Sequence, residues 1–200
     1  MNQLLIATNN KGKVKELQVL LKDTGIDLVT PSQINLQLDV VEDGLTYAEN
    51  ATKKAIAFAN ASGLISLADD SGLEVDALDG APGLYSARYS PKPNAIDADR
   101  RAYLLQNLQD RPRPWTARFH ATIAISSPNG DVHLAEGICE GEIIPEERGT
   151  GGFGYDPIFL LSELGKTMAE LSMDEKNHIS HRAKAVMKSK AILMQIFNSK

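Results

Sequence analysis

The chain is sparing with the residues that staple or cluster. Of its 200 residues one is cysteine, Cys139, so no intrachain disulfide can close, and four histidines without a Cys-x-x-Cys pair give none of the usual zinc spacings. A reducing compartment is expected. The apolar opening at residues 4–7 is far shorter than a signal-peptide core and has no basic region before it, and no other run approaches the length of a membrane span. The reading is a cytoplasmic protein with no membrane partner. Positive charge is in deficit as well: 21 Lys and Arg stand against 26 Asp and Glu, a net charge of −5. This speaks against a nucleic-acid partner and confines any phosphate site to a local basic cluster. Two catalytic signatures are missing. There is no Gly-x-Ser-x-Gly, and residues 7–14 fail as a Walker A loop, because Ala7 stands where Gly is needed and Val14 where Ser or Thr is needed.

What is present suits one α/β domain over residues 1–200, with 42% apolar and 24% charged residues, ordinary proportions for a chain that buries a core. Residues 4–7 read as a buried strand, followed by a polar loop and a helix in which Val14, Leu17, Leu20 and Leu21 repeat at helical spacing until Gly25. A short strand is predicted at residues 27–30. Thr46 and Glu49 fit a capping box that opens a second helix, whose slim stripe of Ala51, Ala55, Phe58 and Ala59 ends at Gly63. Residues 64–68 read as another buried strand, Asp69 to Gly72 as a polar junction, and residues 73–77 as a further strand. A third helix is predicted over residues 97–109. From Thr116 the apolar period becomes two, and Pro128, Asn129 and Gly130 predict a reversal into a strand at residues 132–135, with a separate short strand at residues 141–144. Residues 158–161 read as a strand, and a last helix carries Val186, Met187, Ala191, Met194 and Phe197.

Three polar clusters fall where open α/β sheets bind ligands, at the ends of apolar strands. Thr8, Asn9, Asn10, Lys11, Gly12 and Lys13 precede a helix and offer hydroxyl, amide, backbone N–H and ammonium groups, a cradle suited to phosphate. Asp69 and Asp70 are adjacent carboxylates with Glu42 as a candidate partner. Such crowding calls for hydrogen bonds, a cation or a shifted pKa, and Mg²⁺ beside a phosphate cradle is the natural cation. The third cluster joins the glycine-rich Phe153, Gly154, Tyr155 and Asp156 to Lys176, His181 and Arg182, where aromatic rings can stack on a base and Arg182 can donate to a base carbonyl. Taken alone, each has a plainer reading: a strand-to-helix turn with solvated lysines, an Asp-capped turn, and a tight loop plugged by an aromatic with a structural histidine.

Together the motifs resemble the Ham1-like, or inosine triphosphate pyrophosphatase, family of noncanonical purine nucleoside triphosphate pyrophosphatases. The resemblance is carried by residues 7–13, by Glu49, Asn50 and Ala51 with Lys54 and Ala55, and by residues 68–73 running into residues 82–89. Residues 151–157 and Ser180, His181 and Arg182 complete it. It implies a mixed sheet flanked by helices in an elongated fold of two lobes around a central cleft, and a homodimer. The implied activity is Mg²⁺-dependent hydrolysis of ITP, dITP or XTP to the monophosphate and pyrophosphate, which cleanses the nucleotide pool. Carried over by motif, residues 8–13 would hold the triphosphate with Lys54 and Lys176. Asp70 would bind metal or accept a proton, Glu42 would be a second metal ligand, Asp69 a supporting acid and Ser71 a substrate contact. Phe153, Gly154, Tyr155 and Asp156 with His181 and Arg182 would form the base pocket. The chain departs from the family at Asn9, where Gly is common, and around Glu42. The rival readings are a Maf-like pyrophosphatase and a nucleotide sensor without turnover.

Overall fold

Strand β1 (Gln3–Ile6) is apolar on both faces because both faces are covered. Leu4 and Ile6 lie in one buried cluster with Leu17, Leu20 and Leu21 of α1 (Lys11–Leu21) and Val186, Leu193 and Phe197 of α5 (His181–Asn198), while Leu5 and Ala7 lie in another with Ala51, Ala55 and Phe58 of α2 (Tyr47–Ser62). Side chains alternate across a strand, so a helix layer on each side leaves no polar position. The computed structural model describes residues 2–198.

The remaining strands are β2 (Asp27–Val29), β3 (Ile65–Val75), β4 (Trp115–Ser126), β5 (Val132–Ile143), β6 (Phe159–Leu161) and β7 (Lys166–Thr167). They form one mixed seven-stranded sheet in the order β2-β1-β3-β4-β5-β6-β7. β1 pairs in parallel with β2 and β3, in register Leu4 with Leu28 and Leu4 with Ile65, and β6 pairs antiparallel with β5 and β7. The two other helices are α3 (Asp97–Leu108) and α4 (Met173–Ile179). By internal packing the described chain divides into two compact units. Residues 2–70, 121–137 and 181–198 form the first, and residues 71–120 and 138–180 the second. The second has its own core, with Leu73, Leu104, Leu108, Trp115, Phe119, Tyr155 and Phe159 among its buried side chains.

Two expectations are corrected. Asp69 to Gly72 is not a loop: the strand runs unbroken from Ile65 to Val75, because partners described below satisfy both carboxylates and backbone pairing need not stop. Residues 132–135 and 141–144 do not form separate strands either. The alternation continues through Ala135, Gly137 and Cys139, and β5 is one strand of 12 residues. Gly137 is glycine for a physical reason, since a Cβ there would strike the carbonyl of His181 and the backbone of Ala185 at the start of α5.

Candidate active site

Charge in the first unit gathers around the middle of β3. Asp69, 1% exposed, accepts from Lys13 Nζ at 2.6 Å through Oδ1 and from Arg182 Nε at 2.6 Å through Oδ2. Arg182, also 1% exposed, sends its Nη1 to the carboxylate of Glu16, which is itself buried on α1. Burial opposes charge on Asp69, but Arg182 and Lys13 outweigh it and hold the carboxyl well below its ordinary range. Arg182 is raised in turn: burial alone would lower it, and Asp69 and Glu16 overcome that. Lys13 is lowered, because burial outweighs its attraction to Asp69. The network joins two carboxylates, one guanidinium and one ammonium.

Asp70 has the opposite surroundings. Its carboxylate takes one cation, Lys54 Nζ at 3.0 Å, and that ammonium is shared with Glu42 at 3.0 Å and with the carbonyl of Asp69 at 3.0 Å. Burial dominates and raises the Asp70 carboxyl above its ordinary value, with Lys54 opposing. On Lys54 the two carboxylates outweigh burial and raise the ammonium. Adjacent aspartates in one strand face opposite sides, and the two sides here differ: one is saturated with cations and the other is not.

The loop of residues 8–13 leads into α1 as expected. Thr8 Oγ1 accepts from the N–H of Asn10 at 3.2 Å, and the Asn10 side chain caps the helix by accepting from Lys13 N–H at 3.1 Å. Asn9, Asn10 and Lys11 are exposed, whereas Thr8, Gly12 and Lys13 are partly buried. The positive end of an 11-residue helix thus begins at Lys11, with Lys13 reaching Asp69. Ser71 follows Asp70 on β3 and is partly buried.

The base-loop candidates lie in the second unit. Asp156 Oδ2 accepts from Lys176 Nζ at 2.7 Å and from the N–H of Phe153 at 2.9 Å. Lys176 Nζ also stands 5.2 Å from the centre of the Phe153 ring, a cation–π contact. Gly152 sits at φ +72°, and a Cβ there would collide with the Asp156 carboxylate. Tyr155 is buried, and its hydroxyl donates to the carbonyl of Ser86 at 2.9 Å; burial raises that hydroxyl.

The structure therefore brings Lys13, Lys54, Asp69, Asp70, Glu42 and Arg182 into one connected set, and Phe153, Asp156 and Lys176 into another. Arg182, expected as a donor to a base carbonyl, is also found in the carboxylate set, bonded to Asp69 and Glu16. His181 is buried at the start of α5. Glu16 was not expected. It lies three residues after Lys13 and four before Leu20, on the inner face of α1, and that placement was the signal available.

A family model described as the Ham1 family matches residues 4–192. A dITP/XTP pyrophosphatase of Desulforamulus reducens is 53% identical over 196 residues, covering 98% of this chain and 97% of the relative. Another, of Geobacter sulfurreducens, is 49% identical and covers 93% of this chain and 94% of the relative. Among solved structures, a HAM1 protein from Coxiella burnetii superposes with a TM-score of 0.88 at 40% identity, over 98% of this chain and 100% of that one. With the buried strand, its paired aspartates and the polar loops at the positions its motifs require, the chain belongs to the Ham1 family.

Proposed function

We propose that the chain hydrolyses dITP, XTP and ITP to the nucleoside monophosphate and pyrophosphate. One observation carries the reading: Asp69 is saturated by Arg182 and Lys13, while its neighbour Asp70 keeps a raised carboxyl and a single shared ammonium. A carboxylate with a raised pKa is suited to taking a proton from water, and Asp69 serves beside it as a charge anchor. The names of the relatives supply the substrate class.

Mg²⁺ is the proposed metal, and the residues fit it. Asp70 and Glu42 are hard oxygen donors already brought to one ammonium at 3.0 Å each, and Mg²⁺ takes one or two carboxylates and completes its shell with water and phosphate. Asp69 does not fit, since both its oxygens face cations. Among the described residues no group of three or more His, Cys, Asp or Glu is arranged as a metal cage. When bound, Mg²⁺ would neutralise charge on the phosphate chain. Lys13, Lys54 and the start of α1 with Thr8, Asn9, Asn10, Lys11 and Gly12 hold that chain in place, and Ser71 is a further contact. Asp70 receives the proton of the water that attacks the α-phosphorus, and pyrophosphate leaves.

Phe153, Gly154, Tyr155 and Asp156 read the base, with Lys176 holding Asp156 and covering the Phe153 ring. His181 and Arg182 are assigned to the same task, and Arg182 also anchors Asp69. Residues 1–200 act as one cytoplasmic pyrophosphatase domain and as a homodimer, with a small nucleotide and no nucleic acid as partner. The Maf-like alternative falls with family membership, and the sensor alternative would not need Asp70.

The test incubates the protein with dITP, XTP, dGTP or ATP, each with Mg²⁺ or EDTA, and separates the products. Monophosphate and pyrophosphate from dITP and XTP, lost with EDTA, are expected. Diphosphate and orthophosphate would move the attack to the γ-phosphorus and overturn the proposal, as would no turnover.

A further inference from the structure

Two charged residues of α3 have no place in the chemistry above, yet both are directed at the backbone of one residue of the base-reading loop. Asp97 Oδ2 accepts from the N–H of Gly154 at 2.8 Å, and Arg101 Nη1 donates to the carbonyl of Gly154 at 2.8 Å. They lie four residues apart, one helical turn, so a single helix face grips both polar groups of one residue. Arg101 cannot swing away easily. Its Nε and Nη2 donate to the two oxygens of Glu147 at 2.8 and 2.9 Å, a bidentate pair, and its side chain is 12% exposed. Asp97 is steadied by Arg100 Nη1 at 2.7 Å.

The grip is not explained by packing. Gly154 has no side chain, and nothing lies within 4 Å of where its Cβ would be. At φ +62° its backbone sits in the left-handed region, and the two hydrogen bonds fix the peptide planes on either side of it. On one side is Phe153, whose N–H is bound by Asp156; on the other is Tyr155, tied to Ser86. A bare glycine held by a carboxylate, a guanidinium and that guanidinium's own counter-ion is a device for orientation.

We propose that Asp97 and Arg101, with Glu147 behind Arg101, are positioning residues for nucleobase selectivity. By fixing the two peptides that flank Gly154 they hold Phe153 and Asp156 in the arrangement that tells hypoxanthine and xanthine from guanine. The proposal rests on the assignment of residues 153–156 to base reading.

The test compares wild type with Asp97→Ala, Asp97→Asn, Arg101→Ala and Arg101→Lys. It measures kcat and KM for dITP and dGTP, and Kd for dITP, dGTP and inorganic tripolyphosphate in EDTA. Asp97→Ala and Arg101→Ala are expected to reduce the preference for dITP over dGTP by about tenfold, the scale of one charge-assisted hydrogen bond, mainly through KM and Kd. Tripolyphosphate binding is expected to stay at the wild-type value. Asp97→Asn keeps an acceptor oxygen and should keep the preference, and Arg101→Lys, which cannot serve Glu147 and Gly154 together, should fall between. An undiminished preference in both alanine variants, an equal loss of dITP and tripolyphosphate binding, or loss of cooperative thermal unfolding would overturn the proposal. If wild type released no pyrophosphate from dITP, the enzymatic reading would fail, and the binding ratios in EDTA would still decide for or against the clamp.

Discussion

Asp69→Asn isolates the buried charge network. The substitution keeps the shape of the side chain and removes its charge, so Arg182 and Lys13 each lose a buried carboxylate partner. Breaking a buried pair by removing one partner costs about 3–5 kcal/mol, because the other charge stays desolvated. In a chain of this size each kcal/mol moves the melting temperature by about 2–4 °C, so a fall of roughly 6–20 °C is expected. The pH dependence gives a second handle. The Asp69 carboxyl is held far below its ordinary 3.8, so its contribution is fully present above that value and is lost as pH falls below it toward the folded pKa. Urea unfolding near neutrality and at a series of acid pH values measures both effects. The gap between wild type and Asp69→Asn should be full near neutrality and narrow below about pH 4. A cost under about 1 kcal/mol, the size of an exposed pair, or a gap that does not change with pH would refute the reasoning.

For Asp70 the sign is reversed. Burial raises its carboxyl, so ionising it works against folding, and Asp70→Asn is expected to hold or raise the melting temperature while kcat falls by about 10²–10⁴. Turnover that survives the substitution would remove Asp70 from the chemistry. Gly152→Ala puts a Cβ into the Asp156 carboxylate from a backbone at φ +72°, so KM for dITP should rise as Asp156 leaves Lys176 and Phe153. An unaltered KM would separate residues 152–156 from base reading.

Elements with a strong local pattern were legible in the sequence. Val14, Leu17, Leu20 and Leu21 marked α1, the run from Thr116 marked β4, and Pro128 to Gly130 marked the turn, where Gly130 does bond back to Ser127 at 2.9 Å. The capping box at Thr46 was half right. Thr46 accepts from the N–H of Glu49, but the Glu49 carboxylate accepts from Leu45 instead of Thr46. What was not legible depends on partners far along the chain. Asp69 and Asp70 read as a loop because two adjacent charges seem to forbid a buried strand, and only Arg182, Lys13 and Lys54 lift that objection. The roles of Glu16, Asp97, Arg101 and Glu147 likewise arise from pairings with no local signature, whereas Lys13, Lys54, Asp69, Asp70 and Arg182 lie in motifs, and Glu42 was singled out as an acidic partner for the aspartates.

The pairing of Asp69 with Arg182 spans 113 positions, and that distance is also a delay. At ribosomal rates of 5–20 residues per second, roughly 6–20 s separate the synthesis of the two residues. During that interval Glu16, Glu42, Asp69 and Asp70 have been made against Lys13 and Lys54, so burying the connected set then would bury an excess of negative charge. Every residue of the second unit emerges before His181 does. Because residues 181–198 belong to the first unit, that unit is completed only after the last residue of the second has been made.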